Sequence, residues 1–382
     1  MSAILPGATI GILGGGQLGR MTAMAARSFG YRVQVMDPDP SCPARFVVDA
    51  CFEGNWDDAR AAADLARGCD VVTLEIEQLS LDTLRAAARF APVRPGEGVL
   101  KIIQNRITQK EWLQAHGFPV APFLVARSAG DVAEALDLFG RDCFVKSAHG
   151  GYDGRSQVRV TPDQGSVSSA ELAEQIWKSL GGAPCVVEKG VNLDLEISVL
   201  VARNPSGELK SFPSAQNRHE QQILSWSVIP SSISQAMEAQ AQGYACRLAE
   251  QLSLEGLLAV EMFVAKTGEL FVNELAPRPH NSYHASERSC VVSQFEQHVR
   301  AVCDLPLGST DVLRPAAIAN LLGDVWAEGE PHFDRALEVD TVRLHLYEKH
   351  TARPGRKMGH LSAIGDTPEE AVTRVLEAKS RL

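Results

Sequence analysis

The chain has 382 residues, 45% of them apolar, which suffices for two or three domains with cores of their own. Its formal charge of −10 argues against nonspecific nucleic-acid binding and against adhesion to an anionic membrane, because both need a basic surface. The first apolar residues lack a basic lead and are broken by Pro6 and Gly7, unlike a signal peptide, and no apolar run reaches membrane-spanning length. Eight cysteines without a Cys-x-x-Cys pair read as the reduced thiols of a cytoplasmic protein.

Residues 8 to about 100 alternate strand and helix patterns, with strands expected at 8–13, 31–36 and 70–74 and helices at 17–29, 57–67 and 81–90. That order predicts a doubly wound parallel sheet with ligands at the C-terminal ends of its strands. Gly14-Gly15-Gly16-Gln17-Leu18-Gly19 satisfies Gly-x-Gly-x-x-Gly between strand and helix, and Asp37 follows the next strand. Taken alone, this pattern points to a dinucleotide. A glycine loop feeding a helix N-terminus nevertheless binds any phosphate, or simply makes a tight turn. After the third strand, Glu75 and Glu77 either hold ribose hydroxyls or an amine, or serve as acids at the start of the helix that follows.

Val93-Arg94-Pro95-Gly96 marks a boundary, and one helix is expected over 97–116, with Arg106 reaching nucleotide phosphates or sharing a solvated face with Lys110. A strand over 142–146 ends in Lys146 and runs into a turn containing Gly150, Gly151 and Gly154. A lysine fixed there neutralises phosphates while glycine amides close over them. No Gly-Lys-Ser/Thr follows, so this is not a P-loop, and an Asp-Gly hairpin is the plain alternative. After a helix over 169–180, the strand 184–188 leads into Glu188-Lys189-Gly190-Val191, whose backbone can face an adenine edge. Residues 193–199 alternate, placing Asp194, Glu196 and Ser198 on one face, with Glu196 suited to a ribose and the other two to a half-exposed strand. Gln216 to His219 read as a loop, and 231–252 as a long helix.

The segment Asn273-Glu274-Leu275-Ala276-Pro277-Arg278-Pro279-His280-Asn281-Ser282 places a carboxylate, two amides, a guanidinium, an imidazole and a hydroxyl within ten residues. Packing alone does not explain such a set. A strand over 259–264, a turn at 266–269 and a returning strand form a hairpin. If it is symmetric about Thr267 and Gly268, Glu261 faces Glu274, whereas a three-residue loop would spoil the register. Facing carboxylates either hold magnesium on nucleotide phosphates or remain two solvated acids. A helix over 288–303, a boundary at 304–308, strands at 316–322 and 341–347, and a helix from Thr367 complete the chain. Between the last strand and that helix lies a basic loop with Lys349, Arg353, Arg356 and Lys357, able to clamp a phosphate or stay solvated.

Together, in this order, these motifs resemble the 5-(carboxyamino)imidazole ribonucleotide synthetases, ATP-grasp enzymes of purine biosynthesis, over nearly the whole chain. The resemblance implies a fold of mixed α/β and α+β class: an N-terminal α/β domain (1–96), an ATP-grasp domain (97–305) and a small C-terminal domain (306–382). It implies ATP contacts at Arg106, Lys146, Gly151, Tyr152, Asp153, Gly154, Arg155, Ser156, Gln157, Glu188, Lys189, Gly190, Val191, Glu196, His219, Asn273 and Glu274. Magnesium (Mg2+) falls to Glu261 and Glu274. Strict alternation points Asn273 to the other face, so its role requires the strand to bend there. For 5-aminoimidazole ribonucleotide it implies Gly15, Gly16, Gln17, Leu18, Glu75, Tyr152, Asp153, Arg155, Arg278, His280, Asn281 and Ser282, with Lys349, Arg353 and Arg356 near the phosphate. Lys146, Arg155, Arg278 and His280 would act at the reacting groups. The chain departs from the family pattern at Ser156, Tyr283, Ala285-Ser286 and Glu348. The implied reaction is ATP-dependent carboxylation by bicarbonate, in a homodimer. A formate-dependent glycinamide ribonucleotide transformylase, an NAD-dependent oxidoreductase and a nucleotide-binding regulator without turnover are the competing readings.

Overall fold

The computed structural model describes residues 2–150, 156–162 and 167–382. Three sheets organise them. The first is parallel, in the order Ala50–Glu53, Arg32–Asp37, Thr9–Leu13, Val71–Leu74. Thr9–Leu13 is buried at every position, as befits a central strand covered on both faces. Ile10 and Ile12 pack with Ala23 and Ala26 of helix Gln17–Ser28, and Leu13 packs on the other side with Leu65 and Leu84. The strand order reverses between Thr9–Leu13 and Val71–Leu74, which opens a crevice between Gly14 and Glu75.

The second sheet is antiparallel and has nine strands. Its main path runs Leu270–Ala276, Gly256–Ala265, Leu193–Arg203, Ala215–Glu220, Ile223–Ile229, Ala316–Leu322, Lys357–Ile364, Val342–Leu346, and Leu209–Ser211 pairs beside Leu193–Arg203. Helix Gln235–Gln251 covers its first strands through Ala241, Ala245 and Leu248, which meet Val199, Val201 and Val260. The C-terminal segment adds its three strands to this sheet, Trp226 pairing with Ala319, and packs helix Pro368–Ser380 on them through Ala371 and Val375. The third sheet, Phe123–Ala126, Cys185–Lys189, Cys143–Ser147, Gln157–Val160, is antiparallel and backed by helices Ala129–Leu138 and Ser169–Ser179.

Several local expectations change. The helix expected over 97–116 is two helices, Glu97–Ile103 and Arg106–Ala115. Asn105 breaks it by taking an extended conformation and accepting hydrogen bonds from the amides of Ile107 and Thr108, as an N-cap does. The helix expected over 288–303 is likewise interrupted: Ser286–Ser289 forms one turn, and Ser293 caps Gln294–Val302. Gln216 to His219 lie in the strand Ala215–Glu220, not in a loop. Ser198 is fully buried and accepts a hydrogen bond from Asn217 Nδ2 at 2.6 Å, because Leu193–Arg203 is a central strand from Ile197 onward, not a half-exposed one.

Candidate active site

The hairpin does place Glu261 opposite Glu274. It reaches that pairing by another route than symmetry about Thr267 and Gly268. Met262, Phe263 and Val264 face Val272, Phe271 and Leu270, a register centred on Thr267 alone, and a bulge beyond Met262 restores the Glu261–Glu274 match. The extra residue in the bulge is Asn273. The bend re-aims its side chain, and Asn273 Oδ1 accepts a hydrogen bond from Lys146 Nζ at 3.3 Å. The second and third sheets meet in this contact.

Opposite the hairpin, Lys146 Nζ donates to Glu188 Oε2 at 3.1 Å, and Lys110 Nζ lies 3.4 Å from the same oxygen. Lys110, expected on a solvated face, is 2% exposed. Burial alone would raise the Glu188 carboxyl, but Lys110 and then Lys146 outweigh it and hold it down at about 2. Burial lowers the Lys110 ammonium, with Glu188 opposing. Arg106 opens helix Arg106–Ala115. Its Nη1 donates to the carbonyls of Ser147 and Gly150, both at 2.9 Å, and its Nη2 lies 3.9 Å from Glu274 Oε1. Arg106 thus grips the stem of the glycine turn while facing the hairpin. Gly151, Tyr152, Asp153, Gly154 and Arg155 fall outside the described residues. Ser156 O accepts from Ser147 N at 2.9 Å, and Gln157 Nε2 donates to Gln222.

At the far end of the cleft the amide of Lys189 is already committed to Pro122 O, and that of Gly190 to Asp142 O, so neither is available to an adenine. A Cβ on Gly190 would lie 2.6 Å from Asp142 Oδ1, so a larger residue there would have to push that exposed carboxylate aside. Val191 is half-buried in the same connector. Glu196 and His219 stand on neighbouring strands and share a short hydrogen bond, His219 following a bulge after Arg218. Burial would lower the His219 imidazole, yet Glu196 raises it overall.

Past the hairpin, Arg278 pairs with Glu77 at 2.7 Å, both buried, and so ties the second sheet to the crevice of the first. His280 Nε2 lies 3.2 Å from Glu261 Oε1 and its Nδ1 2.8 Å from Ser282 Oγ. Gln294, which the sequence reading passed over, clamps the His280 backbone on both sides at 2.7 and 3.0 Å. Asn281 is 7% exposed, and among the described residues neither its Nδ2 nor its Oδ1 has a hydrogen-bond partner. An orphaned buried amide facing this site is an opening for a ligand.

The crevice of the first sheet differs from expectation. The carboxylate of Glu75 accepts from the amides of Gly16 and Gly19, and Asp37 accepts from Gly15 N at 2.8 Å. Two acids therefore occupy donors expected to meet a phosphate. Leu18 turns inward, packed with Met21, Phe295 and Tyr347. The basic loop does arrive here: Lys349 Nζ hydrogen-bonds Gln17 Oε1 at 2.5 Å, and Asp39 feels the charge of Arg356. Arg356 donates to Thr351 O at 2.8 Å, and Arg353 is exposed.

With this geometry in view, comparison with known proteins is decisive. Residues 7–104 match the ribonucleotide synthetase preATP-grasp domain, 111–295 the ATP-grasp domain, and 316–374 the phosphoribosylaminoimidazole carboxylase C-terminal domain. The N5-carboxyaminoimidazole ribonucleotide synthase of Bacillus subtilis is 38% identical over 97% of this chain and 95% of its own length, and that of Brucella melitensis 40% identical over 95% and 98%. The chain belongs to the N5-carboxyaminoimidazole ribonucleotide synthase family. It is an ATP-grasp ligase, and neither the transformylase nor the oxidoreductase reading is favoured. A synthetase of this family solved as an ADP complex superposes with a TM-score of 0.90 at 40% identity, covering 99% of this chain and 98% of the other. The Aspergillus clavatus synthase, solved with ADP and 5-aminoimidazole ribonucleotide, gives 0.87 at 30% identity, covering 98% and 99%.

The departures from the synthase pattern at Tyr283, Ala285-Ser286 and Glu348 have structural explanations. Tyr283 is fully buried and donates to Ser198 O and Pro213 O at 2.8 and 2.9 Å, so its ring fills the core and not the pocket. Ser286 Oγ, next to Ala285, bridges Tyr283 O and the amide of Gln294. Glu348 stands at φ 57°, where glycine is the unstrained choice, and its carboxylate pairs with Arg20 at 2.8 Å. The acidic hairpin fits a divalent cation. Desolvation in the cleft, and then the charge of Glu261, push the Glu274 carboxyl up against the pull of Arg106, a repulsion that a cation between them would relieve.

Proposed function

We propose that this synthetase binds ATP in the cleft between the second and third sheets and 5-aminoimidazole ribonucleotide over the crevice of the first, and joins them at residues 273–282. The single observation that carries this reading is that one segment touches both sides. Asn273 meets Lys146 of the third sheet, and five residues later Arg278 meets Glu77 of the first. The ATP phosphates lie toward Arg106, Lys146 and Gln157, and the nucleoside toward Glu188, Val191, Glu196 and His219. Glu261, Glu274 and Asn273 would hold magnesium, which when bound would supply charge neutralisation on the phosphates.

The ribonucleotide phosphate faces Lys349, Arg353 and Arg356 and the first-turn amides of Gln17 and Leu18, which have no intrahelical acceptor. Gly15 and Gly16 shape that turn, and Glu75 faces the ribose. Asn281, Ser282, Arg278 and His280 surround the reacting end; Tyr152, Asp153 and Arg155 are added by the family resemblance alone. In the reaction, a bicarbonate oxygen attacks the γ-phosphorus of ATP and the bond to the β-phosphate oxygen breaks, releasing ADP. The exocyclic amine then attacks the carbonyl carbon of the resulting carboxyphosphate, the carbon–oxygen bond to phosphate breaks, and the amine sheds a proton. Positive groups positioned on the phosphoryl oxygens carry most of the catalysis. The enzyme acts as a cytoplasmic homodimer, with domain boundaries near residues 96 and 305.

The test supplies 13C-bicarbonate, ATP, magnesium and 5-aminoimidazole ribonucleotide and follows the carbamate carbon by NMR. A new carbamate signal that appears with one ADP per turnover is the expected result. ADP formation without label in the ribonucleotide would overturn the assignment.

A further inference from the structure

Behind the nucleotide cleft, Lys146 and Glu188 share a charge group with Lys110, a residue that the proposed reaction does not use. Helix Arg106–Ala115 places Lys110 one turn beyond Arg106, on the same face. The side chains of Lys110 and Glu188 are each 3% exposed, and Lys146 is 11% exposed at the cleft wall. Both ammonium groups converge on Glu188 Oε2, Lys146 at 3.1 Å and Lys110 at 3.4 Å. Among the described residues only Lys146 makes a sound hydrogen bond there, and Lys110 Nζ and Glu188 Oε1 have none. Two cations on one carboxylate leave one positive charge over, offset only by the more distant charge of Glu274 across the cleft, and one ammonium with donors to spare. Such an arrangement is costly to bury unless an anion is to arrive.

We infer that Lys110 is the resident counter-ion of Glu188, a positioning residue that lets Lys146 leave the carboxylate for the nucleotide phosphates. This rests on the reading of the cleft as the ATP site. Lys146 stands nearer the cleft and already reaches across it to Asn273, so it is the member able to turn. When it does, Lys110 closes on Glu188 and the carboxylate stays paired. Without Lys110 the same movement leaves a buried carboxylate uncompensated, and Lys146 stays on Glu188. Lys110 touches no substrate in this scheme. It acts by setting how readily Lys146 is released.

The test is calorimetric titration of the full-length protein with ADP at pH 6 to 8.5, in two buffers of different ionisation enthalpy, for wild type, Lys110→Met and Lys110→Gln. The expected loss at pH 8 is about a hundred-fold in ADP affinity, the order of the penalty for unpairing a buried ion. The deficit shrinks as pH falls, because protonating Glu188 releases Lys146. ADP binding by the variants accordingly takes up close to one proton more than binding by wild type. A merely structural lysine would weaken binding equally at every pH, with no extra proton. That outcome, or wild-type affinity in the variants at pH 8, overturns the inference. Both variants fold without ligand, since Lys146 alone then pairs with Glu188, and failure to fold would also contradict it. A wild type that does not bind ADP at all refutes the ATP site itself and not the role of Lys110.

Discussion

Glu274→Gln separates stability from activity in the acidic hairpin. In the ligand-free protein Glu274 faces Glu261 across the ladder, and its carboxyl is pushed above the ordinary range, desolvation in the cleft contributing most. A group whose folded pKa lies above its unfolded value destabilises the fold once ionised. The penalty is absent below the unfolded pKa, grows as pH rises through the folded one, and is full above it. The Glu274 side chain is 44% exposed, so screening reduces the effect, and a like-charged cross-strand pair is worth about 0.2–1 kcal/mol. Glutamine removes the repulsion. The variant should therefore melt slightly higher than wild type at pH 7.5 in EDTA, by about a degree or two at most in a chain this size, and the gap should close toward pH 4. Turnover moves the other way. If Glu274 ligates magnesium as proposed, losing that oxygen ligand costs about 3–4 kcal/mol, roughly a hundred- to a thousand-fold in kcat. Scanning calorimetry and a coupled ADP-release assay read the two effects. A folded variant that keeps near-normal activity at limiting magnesium, or that melts below wild type at every pH, would refute the reasoning.

Three further perturbations probe other parts of the site. Asn105→Ala removes the cap that starts helix Arg106–Ala115 and costs about 1 kcal/mol in denaturant unfolding; because Arg106 then loses its fixed origin, KM for ATP rises more than kcat falls. For His219→Gln, the stabilising contact with Glu196 is fully present below the unfolded pKa of about 6.5 and lost as pH rises through the higher folded value. The stability gap between wild type and variant is thus widest near pH 6 and narrows above it, and equal gaps at pH 6 and pH 9 would contradict the pairing. Gly16→Val places a Cβ 2.4 Å from Glu75 Oε1. Calorimetry should show weakened binding of 5-aminoimidazole ribonucleotide with ADP affinity largely intact, whereas tight NAD binding by wild type, lost in the variant, would reinstate a dinucleotide site.

The periodic parts of the fold were legible because each depends on neighbours in sequence. Thr9–Leu13 and helix Gln17–Ser28 are examples: one is an apolar run and the other an amphipathic repeat, and both lie where the pattern puts them. Legibility ended where a single polar side chain decides the backbone. Asn105 interrupts a helical pattern that is otherwise continuous, and nothing in the periodicity marks it. The hairpin is instructive in another way. The Glu261–Glu274 pairing was reached on the assumption of a symmetric turn, whereas the actual register shifts at the turn and shifts back at Asn273. That bulge also resolves the conflict between strand alternation and a role for Asn273. Contacts made over long sequence separations were not readable. Glu75 seated on the amides of Gly16 and Gly19, Glu77 on Arg278, and Lys110 beside Glu188 each require the assembled sheets. For Lys110 one local signal existed: it lies midway between Ile107 and Leu113 at a spacing of three, the apolar face of its helix.

The account's central claim is that ATP chemistry and ribonucleotide binding meet at residues 273–282. Phosphate release by the wild type, measured with ATP and magnesium while acceptors are varied, tests it most directly. Release that rises sharply with 5-aminoimidazole ribonucleotide plus bicarbonate, and stays at background with glycinamide ribonucleotide plus formate, is the predicted result. Equal release with the two acceptor pairs, or release indifferent to any acceptor, would contradict it.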